Sequence, residues 1–256
     1  MSKGGGSGGR GGRGRARSRE AMLATLAEHS GVFGAHYSEQ QERILHDLQN
    51  IFGAQVDPAD ILDAYRVRHG GYTAAAEQID VFGGEVRISG DLRAAGRSIG
   101  TFERSIYRQA GKVHATHDLF EIDDPAHRRM GLGRAALKKQ FGFYGRAGVK
   151  SVHLDPAWDG HVVWPKMGFD WQSAAQRQAH GAQFGRYLSG YMSAAAANKI
   201  VRGTGGHAYK IAQIRTKGGE RLGEQWLTKR ASPAGLRIPV GGHGAQWRIL
   251  KHKLGL

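Results

Sequence analysis

The sequence predicts an α+β fold, a mixed and largely antiparallel sheet flanked by helices. Three observations predict it. Apolar residues recur at helical spacing through residues 20–70. The pattern then switches to short β-branched and aromatic runs broken by glycine-containing turns. One helix-like stretch separates the third of those runs from a fourth, the order of an open sheet with helices packed on it.

The elements follow in chain order. The opening MSKGGGSGGRGGRGRARS is of low complexity and has no apolar surface to bury, so residues 1–19 are expected to form a disordered Gly/Arg-rich basic tail. Met22, Leu23 and Leu26 begin a helical stripe that Ile44, Leu45, Leu48, Ile51 and Phe52 continue. Asp57 and Pro58 read as the N-cap and first turn of a further helix, ending at Gly70 and Gly71. Next come EVRISGDLRA, RSIGTFERSIYRQ and KVHATHDLFEI, read as strands of an antiparallel meander with turns at Gly90-Asp91 and in the stretch from Gln109 to Lys112. A helix is expected from about Leu132 to Arg146, then the strand VKSVHLD. Beyond Trp171 the chain is alanine-rich and helical to about residue 201, after which Gly, Pro and basic residues mix with Trp226 and Trp247. The expected organisation is a tail over 1–19, a globular domain over 20–175 and a basic extension over 176–256, either a small appended module or a packing extension.

Composition narrows the function. The 256 residues contain no cysteine, which excludes a disulfide framework and a thiolate zinc site. No apolar run approaches the ~20 residues of a membrane span, and the N-terminus has no apolar stretch for a signal peptide, so a cytoplasmic protein without membrane partners is expected. The formal net charge of +15 sits at the ends. Residues 1–19 carry only basic charges, and residues 199–256 hold twelve Lys and Arg against Glu220 and Glu224. The middle is mildly acidic. The arginines spaced by glycines resemble segments that bind nucleic acid without sequence preference, and in 199–256 the two tryptophans could stack on bases.

The stretch HRRMGLGRAALKK, residues 127–139, places Gly131 and Gly133 where a helix is starting, although glycine costs roughly 1 kcal/mol against alanine in a helix. Three readings compete: a ligand-free helix start, a dinucleotide-binding turn, and a loop around another phosphate-bearing cofactor. Gly131-Leu-Gly133-Arg-Ala-Ala136 does fit G-x-G-x-x-A, with Asp155 further on. That turn emerges directly from an apolar strand of a parallel sheet, whereas here the polar DDPAHRRM intervenes and the preceding strands read as antiparallel.

Arg128-Arg-Met-Gly131-Leu-Gly133 also matches R-x-x-G-x-G. With the strand LFEI before it, the helix RAALKKQFGFYGRAG, the strand VKSVHLD and the segment WPKMGF after it, the region from about Glu77 to Trp171 resembles the GNAT superfamily of N-acetyltransferases. The helices of residues 20–70 stand where that fold carries its first two. The resemblance implies acetyl-CoA as cofactor, its pyrophosphate held by Arg128, Arg129, Met130, Gly131, Leu132, Gly133 and Arg134, with Ile122 on the preceding strand and Trp164 also in contact. A helix N-terminus supplies unpaired N–H groups and partial positive charge for such an anion. Trp164 stands four residues before Gly168, where the family commonly has a tyrosine that protonates the departing thiolate. An indole N–H donates a hydrogen bond without giving up its proton.

Attack by an amine requires a base. In the family it often lies on the strand before the loop, which makes Glu121 and His117 the candidates; four residues apart, they are expected to share a strand face. Asp118 falls on the other face as a weaker candidate. His114 and His117, three apart, face opposite ways, and no metal site is expected. Two functions follow. One is acetyl transfer from acetyl-CoA to an amine of an undetermined acceptor, with the basic ends favouring a macromolecule. The other is a non-catalytic nucleic-acid-associated or phage structural protein with a vestigial GNAT-like domain. The segments GTFERSIYR and DGHVVWPKMGFDW also resemble GNAT-related segments of bacteriophage and prophage proteins, which implies a bacterial host cytoplasm.

Overall fold

The computed structural model describes residues 17–29, 37–53, 56–229 and 234–256. Most of the basic tail, residues 1–16, lies outside them. Its last part does not behave as tail: Ser18 caps helix α1 (Arg19–Ala27), accepting from the Ala21 N–H at 3.3 Å.

Helices α2 (Tyr37–Phe52) and α3 (Pro58–Tyr65) follow, the latter capped by Asp57 with Pro58 in its first turn. The helix expected to run on to Gly70 stops at Tyr65, and residues Val67–His69 form strand β1. The sheet then grows by β2 (Tyr72–Phe82), β3 (Glu85–Ala94), β4 (Arg97–Gln109) and β5 (Lys112–Ile122). Each hairpin from β2 to β5 turns through two residues with positive φ: Gly83-Gly84, Ala95-Gly96 and Ala110-Gly111. That geometry matches the right-handed twist of the strands it joins. The turn expected at Gly90-Asp91 is therefore absent. Gly90 lies inside β3, where a Cβ would stand 2.0 Å from the Ala75 carbonyl oxygen of the neighbouring strand.

After a 3-10 turn at Pro125–His127 come α4 (Leu132–Arg146), β6 (Val149–Leu154), α5 (Gly160–Lys166) and β7 (Asp170–Trp171). The expected alanine-rich helix breaks in two at Ser189–Ser193, giving α6 (Ala174–Leu188) and α7 (Ala194–Thr204), each capped by a serine. Helices α8 (Ala208–Ile211) and α9 (Leu222–Lys229), strand β8 (Leu236–Pro239) and α10 (Ala245–Leu254) complete the described chain.

The eight strands lie in the order β1-β2-β3-β4-β5-β6-β8-β7, and every neighbouring pair is antiparallel except β5 and β6. This is an α+β protein with a large, mostly antiparallel open sheet and ten α-helices among the described residues. Val86, Ile88, Ile106 and Ala115 share the apolar face, beneath α2 and α4. The opposite face carries Glu85, Arg87 and Glu103, with an Arg87–Glu103 ion pair at 3.2 Å. The described residues of 176–256 share the sheet and the core with the rest of the chain. Strand β8 inserts between β6 and β7, and Phe184, Trp226 and Leu236 join the same core as Phe141 and Phe169.

Candidate active site

Strand β5 creates the site by changing register. Arg104 pairs with His117 and Glu103 with Leu119, so Asp118 is an extra residue, a β-bulge. Residues paired directly across a ladder share a face. His117 therefore lies with Arg104 on the apolar face, while Leu119 and Glu121 follow Glu103 and Thr101 to the other. The expectation that His117 and Glu121 share a face fails for this reason: the inserted residue reverses the alternation between them. Asp118 does lie opposite His117, hydrogen-bonded to Ser105, and burial raises its carboxyl above the usual range.

The pairing of β5 with β6 ends at Thr116–His153, and beyond it the two strands part. A cleft of about 510 Å³ opens between them, within the usual size of a small-molecule site. Its walls come from β5 through His117, Glu121 and Ile122, from the loop before α4 through Arg128, and from α5 with its preceding loop through Trp158 and Trp164.

At the buried end, His117 is 5% exposed and makes ring contacts with Phe141, Tyr144 and Trp164. Its Nε2 lies 3.1 Å from the Tyr144 hydroxyl, which in turn lies 3.0 Å from that of Tyr65. Its Nδ1 has no partner among the described residues. Burial, aided by the charge of Arg104, holds the imidazole pKa well below its ordinary value, so the ring is neutral. Burial likewise raises the Tyr144 phenol to about 12.

Arg104 is the residue that sequence reasoning missed. It is 1% exposed and lines the cleft. Its Nη1 donates to the Leu119 carbonyl at the bulge and to the Glu103 carbonyl at 2.7 Å, and its Nε donates to Gln140 Oε1 at 3.5 Å. Phe102 and Phe120 place their rings 5.9 and 5.8 Å from the guanidinium. The available signal was parity: Phe102, Arg104 and Ile106 alternate on one strand face, which puts a charge on the apolar stripe.

At the exposed end, Arg128 donates from Nε to the Ile122 carbonyl at 3.0 Å, tying the loop to the end of β5. Arg129 has φ +62, in the left-handed region, and faces Asp159 at 3.7 Å with both side chains in solvent. Met130 and Arg134 are exposed and Leu132 is buried. Gly131 is the N-cap of α4 with φ +89, and a Cβ there would stand 2.5 Å from His69 Nε2. The left-handed conformation requires glycine at that position, whereas the exposed His69 side chain can turn aside. Gly133 is different. Its φ is ordinary, and a Cβ would meet only the Phe120 ring at 3.5 Å, an ordinary contact, so nothing in the packing demands glycine there.

Helix α4 has no side-chain cap, like α5, α8 and α10 and unlike α1, α3, α6 and α7, whose N-caps each bond a backbone N–H. Its first N–H groups have no partner from the N-cap side chain, as at any uncapped helix start. Of the residues expected at the site, His117, Glu121, Ile122, Arg128 and Trp164 line the cleft, and Arg129 to Arg134 form the turn beside it. Among the described residues no group of three or more His, Asp or Glu is placed to hold a metal ion.

The two tryptophans expected to stack on nucleic acid differ in their placement. Trp226 is 1% exposed and packed against Phe184 at 5.2 Å, drawn inward by its apolar area, whereas Trp247 is half-buried with its ring 6.1 Å from Phe141. Among the described residues no helix is long and apolar enough to cross a membrane.

The fold and site thus define an α+β protein whose open sheet is split by a cleft ending at an uncapped helix. No family model, curated protein or solved structure matches the chain.

Proposed function

We propose that the cleft binds a CoA thioester and that the protein is an N-acyltransferase of the GNAT type, transferring acetyl from acetyl-CoA to an amine. The observation that carries this reading is the uncapped N-terminus of α4 with a glycine at its second position that packing does not require. A bare backbone there lets a diphosphate approach the N–H groups, and Arg128, Arg129 and Arg134 supply countercharge. The split between β5 and β6 supports it as well, because main chain of β5 beyond the bulge lines the cleft without a strand partner on that side. An amide-containing arm has groups to pair with it.

Acetyl-CoA supplies the acyl group, activated as a thioester. The chain's residues do the rest. Trp164 and Phe120 form apolar walls that exclude water. Glu121, at the open half of β5, accepts the proton that the amine loses. His117, neutral and with a free Nδ1, accepts a hydrogen bond at the buried end and is a poor proton acceptor, because Arg104 opposes a second positive charge.

The test is a thermal-shift titration with acetyl-CoA on the wild type and on Gly133→Glu. The conformation at Gly133 accepts a side chain, and a carboxylate in the first turn suits the helix dipole. Unliganded stability should be unchanged or higher, and the acetyl-CoA shift should be lost. The same change at Gly131 would disturb the fold through its positive φ. A wild type that gives no shift refutes the acyltransferase reading and leaves the nucleic-acid-associated alternative.

A further inference from the structure

We propose that Arg104 stabilises the sulfur anion released when a thioester gives up its acyl group in this cleft, the task left open by Trp164; the inference rests on the acyltransferase reading above. A guanidinium taken out of water is costly unless something compensates it. Among the described residues no carboxylate forms an ion pair with Arg104, which bonds only to two carbonyls and a glutamine. Its Nη2 has no partner among those residues. The fold thus keeps a cation without an ion-pair partner at 1% exposure in the wall of the cleft, with Asp118 the carboxylate whose charge bears on it.

Its location suits the sulfur. If the phosphates sit at the exposed end with Arg128 and Arg129, the reacting end of an extended thioester reaches inward, toward His117, Trp164 and Arg104. None of the other groups there gives up a proton readily. The Trp164 indole does not release one. His117 is held neutral by burial and by Arg104. The Tyr144 phenol is fully buried, engaged with His117 and Tyr65, and pushed up to about 12. A fixed cation solves the problem differently, by stabilising the anion instead of protonating it, and its effect is large where water is excluded.

The step balances. The acceptor nitrogen uses its lone pair to form the C–N bond, and the C–S bond breaks with its pair kept on sulfur. The proton shed by nitrogen passes to Glu121 and on to water, and the thiolate held by Arg104 takes its proton later from solvent. No other reactant is needed.

The test uses the full chain with coenzyme A as the probe and the ultraviolet absorbance of its thiolate as the readout, titrated against pH. Bound to the wild type, the thiol should ionise at lower pH than free coenzyme A, with about tenfold more thiolate at a given pH below its ordinary pKa. Arg104→Lys, which keeps the charge, should retain most of that shift. Arg104→Met should lose it while coenzyme A still raises the melting temperature. Should Arg104→Met fail to fold, the wild-type titration alone decides. Coenzyme A that binds with an unshifted thiol overturns the role of Arg104 and leaves the acyltransferase reading standing. Coenzyme A that does not bind overturns both.

Discussion

Up to Thr116, strand β5 is bracketed by β4 and β6; beyond it only β4 accompanies the strand. The closed half carries Val113 and Ala115 into the core and borders a histidine buried among aromatic rings. The open half carries Phe120, Glu121 and Ile122 along the wall of the cleft. One inserted residue, Asp118, divides a strand that helps hold the protein together from a strand that offers its main chain to a ligand. Stability should therefore be concentrated on one side of the bulge and ligand binding on the other.

The sharpest way to break that comparison is to remove a side chain packed on the closed half. Phe141 is 1% exposed and packs on His117, Tyr144, Phe169 and Trp247. Phe141→Ala should destabilise by about 3–5 kcal/mol in urea unfolding. A loss below 1 kcal/mol, on the order of a surface change, would deny the closed half its structural role.

A smaller effect comes from His117 itself. Its folded pKa is lowered, so below the ordinary value of 6.5 the unfolded chain takes up a proton that the folded chain refuses. Stability must then fall as pH drops below that value and stay flat above it. His117→Asn should flatten this slope by up to about 1.4 kcal/mol per pH unit, one proton's worth. His114, His153 and His180, also lowered by burial, maintain a residual slope. Identical slopes in variant and wild type would mean that the ring is solvated.

The smallest effect is expected at the rim of the open half. Trp158 is 73% exposed, and its φ of +45 is uncommon for a bulky residue. Trp158→Ala should change unfolding free energy by no more than ~0.5 kcal/mol. A larger loss would place the rim within the structural half of the molecule.

Local chemistry made part of this legible. The bounds of β3, β4, β5 and α4 follow from alternation, from the Ala-Gly turns and from the helix-forming run after Gly133. Strand β2 was hidden because its centre, Ala74-Ala75-Ala76-Glu77-Gln78, is built of residues that favour helices, and only pairing with β3 makes it a strand. Strand β8 is four residues ending in a proline, too short to carry a period, and its partners lie far back in the chain. At the site, the glycine turn was readable from spacing, whereas Arg104 was passed over although strand parity places it on the apolar face. The bulge was not readable. Counting by twos put His117 and Glu121 together, and nothing local to that strand announces the residue that separates them.

The position of β8 also sets a schedule. A ribosome delivers β6 and β7 well before residues 236–239, and until then the two strands have nothing between them. The growing chain carries an unpaired edge beside its cleft, a template for joining other chains. A chain halted before Leu236 would include every residue assigned to the cleft and still lack the strand that closes its flank. Premature termination should therefore yield aggregates, not a smaller working protein.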